Sequence, residues 1–138
     1  MSDKKIPVGL KSDGSKYRVL IIDDSLFVVK QLKQILQSES FEVVGEAHDG
    51  EEGVNAYKEL SPNIDFVTCD ITMPKLDGIT ALEQIMAFDS NAKVIMISAL
   101  GKEDLVKKAL LAGAKNYIVK PLDRVKVLSR LDTILKNK

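Results

Sequence analysis

Residues 17–25 read YRVLIIDDS, a short apolar run rich in branched side chains that stops at two carboxylates and a hydroxyl. Val19, Leu20, Ile21 and Ile22 show no polar alternation, so both faces of the segment are expected to be covered, as in a strand of a parallel sheet. Similar runs recur at Phe41–Glu46, Ile64–Cys69, Lys93–Ile97 and Asn116–Val119. Between them lie stretches with helical spacing. Leu26, Val29, Lys33 and Leu36 mark the first, with Phe27, Leu32 and Ile35 widening its apolar stripe. Val54, Tyr57 and Leu60 mark the second, and Ile79, Leu82, Ile85 and Met86 the third. Leu105, Ala109 and Ala112 mark the fourth; Val125, Leu128, Leu131 and Leu135 mark the fifth. Gly45, Gly101 and Gly113 fall near expected element ends, and Pro62 closes the second helix. Strand and helix alternating five times predict an α/β fold, a doubly wound five-stranded parallel sheet covered on both faces by five helices.

The 138 residues suffice for one domain that buries a core without disulfide or structural metal. Residues 1–16, MSDKKIPVGLKSDGSK, lack apolar periodicity and read as a flexible N-terminal arm, leaving 17–138 as the folded domain. Twenty Lys and Arg balance twenty Asp and Glu, which removes the broad positive footprint of a nucleic-acid binder. Residues 115–138 are locally basic, as suits a helix C-terminus. The lone Cys69 excludes an internal disulfide and a cysteine-based zinc cluster, and strand alternation turns it away from Asp70 into the core. No apolar run approaches the roughly 18 residues of a membrane span, and the N-terminus is polar. A cytoplasmic protein with no membrane partner is expected.

Open parallel sheets bind ligands beyond the carboxyl ends of their strands, so the residues that follow each strand carry the chemistry. Asp23 and Asp24 follow the first, Asp70 the third, Ser98 the fourth and Lys120 the fifth; only a turn, Ala47 to Gly50, follows the second. Three carboxylates brought together repel, and without compensation at least one is held protonated above its ordinary pKa. A divalent cation removes the conflict, and a few hard oxygen ligands with room for waters and a phosphate oxygen suit Mg²⁺ better than Zn²⁺. A carboxylate beside such an ion can attack phosphorus, with the Lys120 ammonium and the Ser98 hydroxyl stabilising charge on the transferring group.

The segments Val19–Ser25, Asp70–Gly78 (DITMPKLDG), Ile97–Ala99 and Tyr117–Pro121 (YIVKP) resemble, in register, the hallmark segments of response-regulator receiver domains. The resemblance spans residues 17 to about 137. It implies a flavodoxin-like receiver fold with strand order 2-1-3-4-5, of the stand-alone chemotaxis type. Asp70 is then the phospho-acceptor, charged by the phosphohistidine of a sensor histidine kinase. Asp23, Asp24 and Asp70, with the Thr72 main-chain carbonyl, are expected to hold Mg²⁺, for which Mn²⁺ can substitute. Lys120 is similar to the phosphate-pairing lysine, and Lys120–Pro121 to a peptide bond often cis in the family. Ser98 takes the switch-hydroxyl position, where Thr is commoner, and Tyr117 the switch aromatic. The expected protein is a signalling phosphoprotein, not a conventional enzyme; it catalyses its own phosphoryl transfer and slow aspartyl-phosphate hydrolysis. With no output domain expected after residue 138, a monomer would signal through the face of the fourth helix, fifth strand and fifth helix. The expected target is a flagellar motor switch protein, with a possible phosphatase as a further partner. A phosphorelay intermediate or a diffusible regulator of another signalling enzyme is the alternative.

Rival functions fit the residues less well. A flavin module of the same sheet order needs a Gly/Ser/Thr-rich loop with free amides after the first strand, where this chain places two carboxylates. A haloacid-dehalogenase-like phosphatase needs a second Asp two places after the nucleophile, and that position is Thr72. A degenerate receiver is expected to lack the lysine or the acids.

Overall fold

Every apolar run forms a strand and every amphipathic stretch a helix, in the order β1 (Arg18–Ile22), α1 (Leu26–Ser38), β2 (Glu42–Ala47), α2 (Gly50–Leu60), β3 (Phe66–Asp70), α3 (Gly78–Phe88), β4 (Val94–Ser98), α4 (Glu103–Leu111), β5 (Asn116–Val119) and α5 (Arg124–Lys136). The structure is a computed structural model and describes residues 6–73 and 75–136. The strands form one parallel sheet in the order β2-β1-β3-β4-β5, the expected doubly wound arrangement. The strand order reverses beside β1, which sets a crevice between the carboxyl ends of β1 and β3.

Alternate residues of each strand feed two cores, which is why the runs carry no polar alternation. Leu20, Ile22, Val67, Cys69, Val94 and Met96 pack with α2, α3 and α4. Val19, Ile21, Phe66, Ile95, Ile97 and Ile118 pack with α1 and α5 on the other face. Cys69 is fully buried as expected, and desolvation, with the nearby Asp70 charge, pushes its thiol well above the ordinary range.

Three sequence readings need correction. Along α1 the buried stripe is Val28, Val29, Leu32, Ile35 and Leu36, whereas Leu26 and Phe27 are exposed and Lys33 pairs with Glu46 at 2.6 Å. Leu26 and Phe27 lie around the helix from this stripe and face solvent, although Val28 and Val29 of the same turn are buried. Val125, in the first turn of α5, is exposed for the same reason, lying off the face that Val127, Leu128, Leu131 and Leu135 bury. Gly45 does not end an element. It lies inside β2 at a register shift, where Val19 pairs with Val43 but Leu20 with Gly45.

The third correction concerns the arm. Residues 1–5 lie outside the described residues, but 6–16 fold back on the domain. The Val8 N–H donates to Glu39 Oε1 at 2.9 Å, and the Gly9 N–H to the Glu39 carbonyl at 2.8 Å. Lys136 Nζ donates to the carbonyls of Leu10 (2.9 Å) and Val8 (3.4 Å), and Lys11 pairs with Asp65 at 2.9 Å. A side chain at Gly9 would collide with the Glu39 carbonyl and the Phe41 amide. The segment is a clasp, held through its backbone between the α1–β2 turn and the end of α5.

Candidate functional site

Backbone hydrogen bonds carry the sheet one residue past its strands and so fix where the functional side chains begin. The Asp23 N–H donates to the Ala47 carbonyl (2.9 Å), that of Ile71 to Ile97 (3.1 Å), and that of Lys120 to Ser98 (2.7 Å). Asp23, Asp70, Ser98 and Lys120 thereby stand along one edge. The β3–α3 connection closes tightly on it. The Gly78 N–H donates to the Ile71 carbonyl at 2.7 Å, and a Cβ on Gly78 would strike the Asp70 carbonyl oxygen. Asp77 caps α3 by accepting from the Thr80 N–H at 2.8 Å.

Asp23, Asp24 and Asp70 each bring one carboxylate oxygen within 4.8 Å of the others, as the strand-end reading predicts. Asp23 and Asp70 are buried and Asp24 is exposed. Lys120 Nζ lies 3.5 Å from Asp70 Oδ1 and 3.9 Å from Asp23 Oδ2, so one ammonium faces two buried carboxylates. Asp23 Oδ1 accepts from the Ser25 N–H at 2.9 Å, but Oδ2 is buried with no hydrogen-bond partner. Burial, and then the Asp23 charge, pushes the Asp70 carboxyl up to about 6, against the opposing pull of Lys120. Burial raises Asp23 as well, opposed by the Ser25 N–H and Lys120. A cluster of oxygen donors with an unpartnered buried oxygen and too little positive charge fits a hard divalent cation.

Thr72 and Ser98 stand at or just past their strand ends, and Tyr117 lies within β5. Thr72 is exposed two residues past Asp70. Ser98 is buried and its hydroxyl donates to the Ala99 carbonyl at 2.9 Å; it does not cap α4, whose N-cap is Lys102 with no side-chain hydrogen bond. Tyr117 is half-buried on β5. The Lys120–Pro121 peptide is cis. Sequence reasoning gave no role to Gly78, although Asp77-Gly78 directly before an apolar period signals a capped helix start. It also missed Arg130, which reaches from α5 onto β5; nothing in its sequence neighbourhood marks it.

The response regulator receiver domain pattern matches residues 19–132. The chain belongs to this family. The receiver is 65% identical over 132 residues to the chemotaxis protein CheY of Treponema pallidum, covering 96% of this chain and 92% of that protein. It is 48% identical over 119 residues to CheY of Thermotoga maritima, covering 86% and 98% respectively. Among solved structures it resembles a chain of the CheX–CheY–BeF₃–Mg²⁺ complex of Borrelia burgdorferi, with a TM-score of 0.92 and 60% identity, over 95% of this chain and 98% of that one. At this level of similarity the receiver is a chemotaxis response regulator, a signalling protein that works with protein partners, and phosphoryl acceptance is its domain's function. Among the described residues, no helix is long and apolar enough to cross a membrane.

Proposed function

We propose that Asp70 takes a phosphoryl group from the phosphohistidine of a sensor histidine kinase. One Asp70 carboxylate oxygen attacks phosphorus in line with the departing imidazole nitrogen. The P–O bond forms as the P–N bond breaks, the nitrogen keeps the electron pair, and the imidazole takes its proton from water. Asp23, Asp24, Asp70 and the Thr72 main-chain carbonyl are the residues that would hold Mg²⁺, with Mn²⁺ as a substitute. When bound, the cation neutralises the carboxylates and the phosphoryl oxygens. Lys120, 3.5 Å from Asp70, pairs with the incoming group as a point charge. The carrying observation is the trio of carboxylates within 4.8 Å of one another, one of whose buried oxygens lacks a partner.

Modification places roughly two negative charges where one stood. The Ser98 hydroxyl leaves the Ala99 carbonyl to donate to a phosphoryl oxygen, and Tyr117 turns into the space beside it. Two new charge-assisted hydrogen bonds, from Ser98 and Lys120, contribute about 1.5–3 kcal/mol each. Inverting a 1:99 equilibrium takes about 5.5 kcal/mol, so the two bonds are of the size that moves a population. The affected face is α4, β5 and α5, where Leu100, Leu111 and Val125 are exposed. The target is a flagellar motor switch protein in the cytoplasm, a phosphatase is a further partner, and the receiver, a monomer, hydrolyses its own aspartyl phosphate slowly. Intact mass after incubation with Mg²⁺ and a small phosphodonor tests the reading. The native chain gains one phosphoryl mass and Asp70→Asn gains none; equal gain by both chains, or gain by neither, overturns it.

A further inference from the structure

Tyr117 stands between two cavities of about 320 Å³ each. One lies under α4 and is lined by Ser98, Ala99, Val106 and Val119. The other lies against α5 and is lined by Val119, Val125, Ser129 and Arg130. The ring therefore borders free space on the Ser98 side without filling it. On the α5 side it is gripped. The Arg130 guanidinium sits 5.1 Å from the ring centroid, and its Nη1 donates both to the Tyr117 main-chain carbonyl (3.0 Å) and to Asn116 Oδ1 (2.8 Å). Asn116 Oδ1 in turn accepts from the Tyr117 N–H at 2.8 Å. One cation thus holds the ring face, the backbone carbonyl and the side chain that braces the backbone amide. A guanidinium suits this work because it is planar, weakly hydrated and carries several donors in a fixed fork.

We infer that Arg130 is a positioning residue of the switch, which holds the Tyr117 ring against its guanidinium at the β5 edge, out of the Ser98 cavity, and so sets the resting balance between the two positions. The inference rests on the reading above, in which Tyr117 moves toward Ser98 when Asp70 is modified. An exposed cation–ring contact and a surface hydrogen bond are each weak, but an equilibrium poised between two positions responds to small terms, and their loss shifts it by about three- to tenfold.

The chain carries three tyrosines, so labelling with 3-fluorotyrosine gives three fluorine resonances, and Tyr117→Phe identifies the relevant one. Beryllium fluoride with excess Mg²⁺ serves as the phosphoryl mimic, and the Tyr117 resonance is followed through the titration. Arg130→Ala is expected to move the resting resonance part-way toward its saturated position and to lower the midpoint concentration of beryllium fluoride about three- to tenfold. Arg130→Lys, which keeps the charge without the planar fork, should fall between. The midpoint is insensitive to any direct effect of the guanidinium on the fluorine, and unchanged Tyr17 and Tyr57 resonances show that the fold persists. Native midpoints in both variants overturn the assignment of Arg130 while leaving the switch intact. A Tyr117 resonance in the native chain that ignores saturating beryllium fluoride overturns the switch reading itself, and the assignment of Arg130 with it.

Discussion

Replacing Asp70 by Asn should make the divalent-free protein more stable, although it removes the proposed phospho-acceptor. The Asp70 carboxyl is pushed up to about 6 in the folded chain, against 3.8 for the free group, because it is buried beside Asp23 with only a shared lysine for relief. An acid raised on folding binds more protons native than unfolded between those two values. Stability therefore falls as pH climbs from about 4 to about 6, and the full penalty persists at neutral pH. The difference corresponds to about 3 kcal/mol, an upper bound because the variant amide still needs hydrogen-bond partners. Asp23 is shifted in the same direction and remains in the variant, where it keeps Lys120 at 3.9 Å.

The assay is urea unfolding of the native chain and Asp70→Asn at pH 7.5 and pH 4, each with chelator and with Mg²⁺. With chelator at pH 7.5 the variant should be more stable by about 1–3 kcal/mol, or about 3–9 °C in Tm for a domain of this size. At pH 4 the gap should nearly close, since most of the native carboxyl is then protonated. Mg²⁺ should close it at pH 7.5 by stabilising the native chain, because an ion bound only by the folded state adds stability by mass action. A variant no more stable than the native chain in chelator at pH 7.5 would refute the electrostatic conflict on which the site depends.

Other perturbations probe the neighbouring parts. Ser98→Ala should still accept phosphoryl from a small donor by intact mass, but partner affinity should rise several-fold less on activation than in the native chain; an undiminished rise counts against the hydroxyl's role. Gly78→Ala forces a Cβ onto the Asp70 carbonyl oxygen, so it should destabilise by about 2–4 kcal/mol in urea unfolding and slow phosphoryl acceptance, by moving the loop that follows Asp70. Deleting residues 1–16 removes the Glu39 and Lys136 contacts and should lower stability by about 1–3 kcal/mol, with faster amide exchange at the end of α5; a flexible arm would change neither. Amides of 99–105 should exchange faster than those in the middle of α1 or α5, and beryllium fluoride with Mg²⁺ should slow them at least several-fold.

What was legible in the sequence follows from which forces leave a mark on residue type. The strands are plain because burial on two faces forbids polar residues, and Asp23, Asp24 and Asp70 stand out because charge directly after such a run is costly without a purpose. The first turns of α1 and α5 mislead, since Leu26, Phe27 and Val125 are apolar yet lie off the face that Val28, Val29 and Val127 bury in those same turns. The clasp leaves only faint marks, Gly9, which has no room for a Cβ, and Lys11, which pairs with Asp65. Its other contacts run through the N–H and C=O groups of Val8, Gly9 and Leu10, which residue type barely records, to Glu39 and Lys136, far away in the chain. Arg130 is hidden for a related reason: an arginine on an exposed helix reads as a solvated face until the fold brings β5 beneath it.

The placement of these contacts bears on how a charge at Asp70 travels. The side of the sheet covered by α1 and α5 is pinned at several points. Gln31 donates to the Leu122 carbonyl (3.4 Å), Arg124 bridges Ser38 and Glu39, and Glu39 carries the clasp. Among the described residues, the route from Ser98 into α4 has no equivalent side-chain ties. Leu100 is exposed, Gly101 has φ +83°, a conformation that disfavours any other residue, and α4 starts at Lys102 without a side-chain cap. In the proposed switch, a disturbance at the strand ends meets side-chain ties on one side and an uncapped turn on the other, so the turn is where displacement costs least. On that proposal the weakly held α4 start is then where a charge added at Asp70 finds the least resistance.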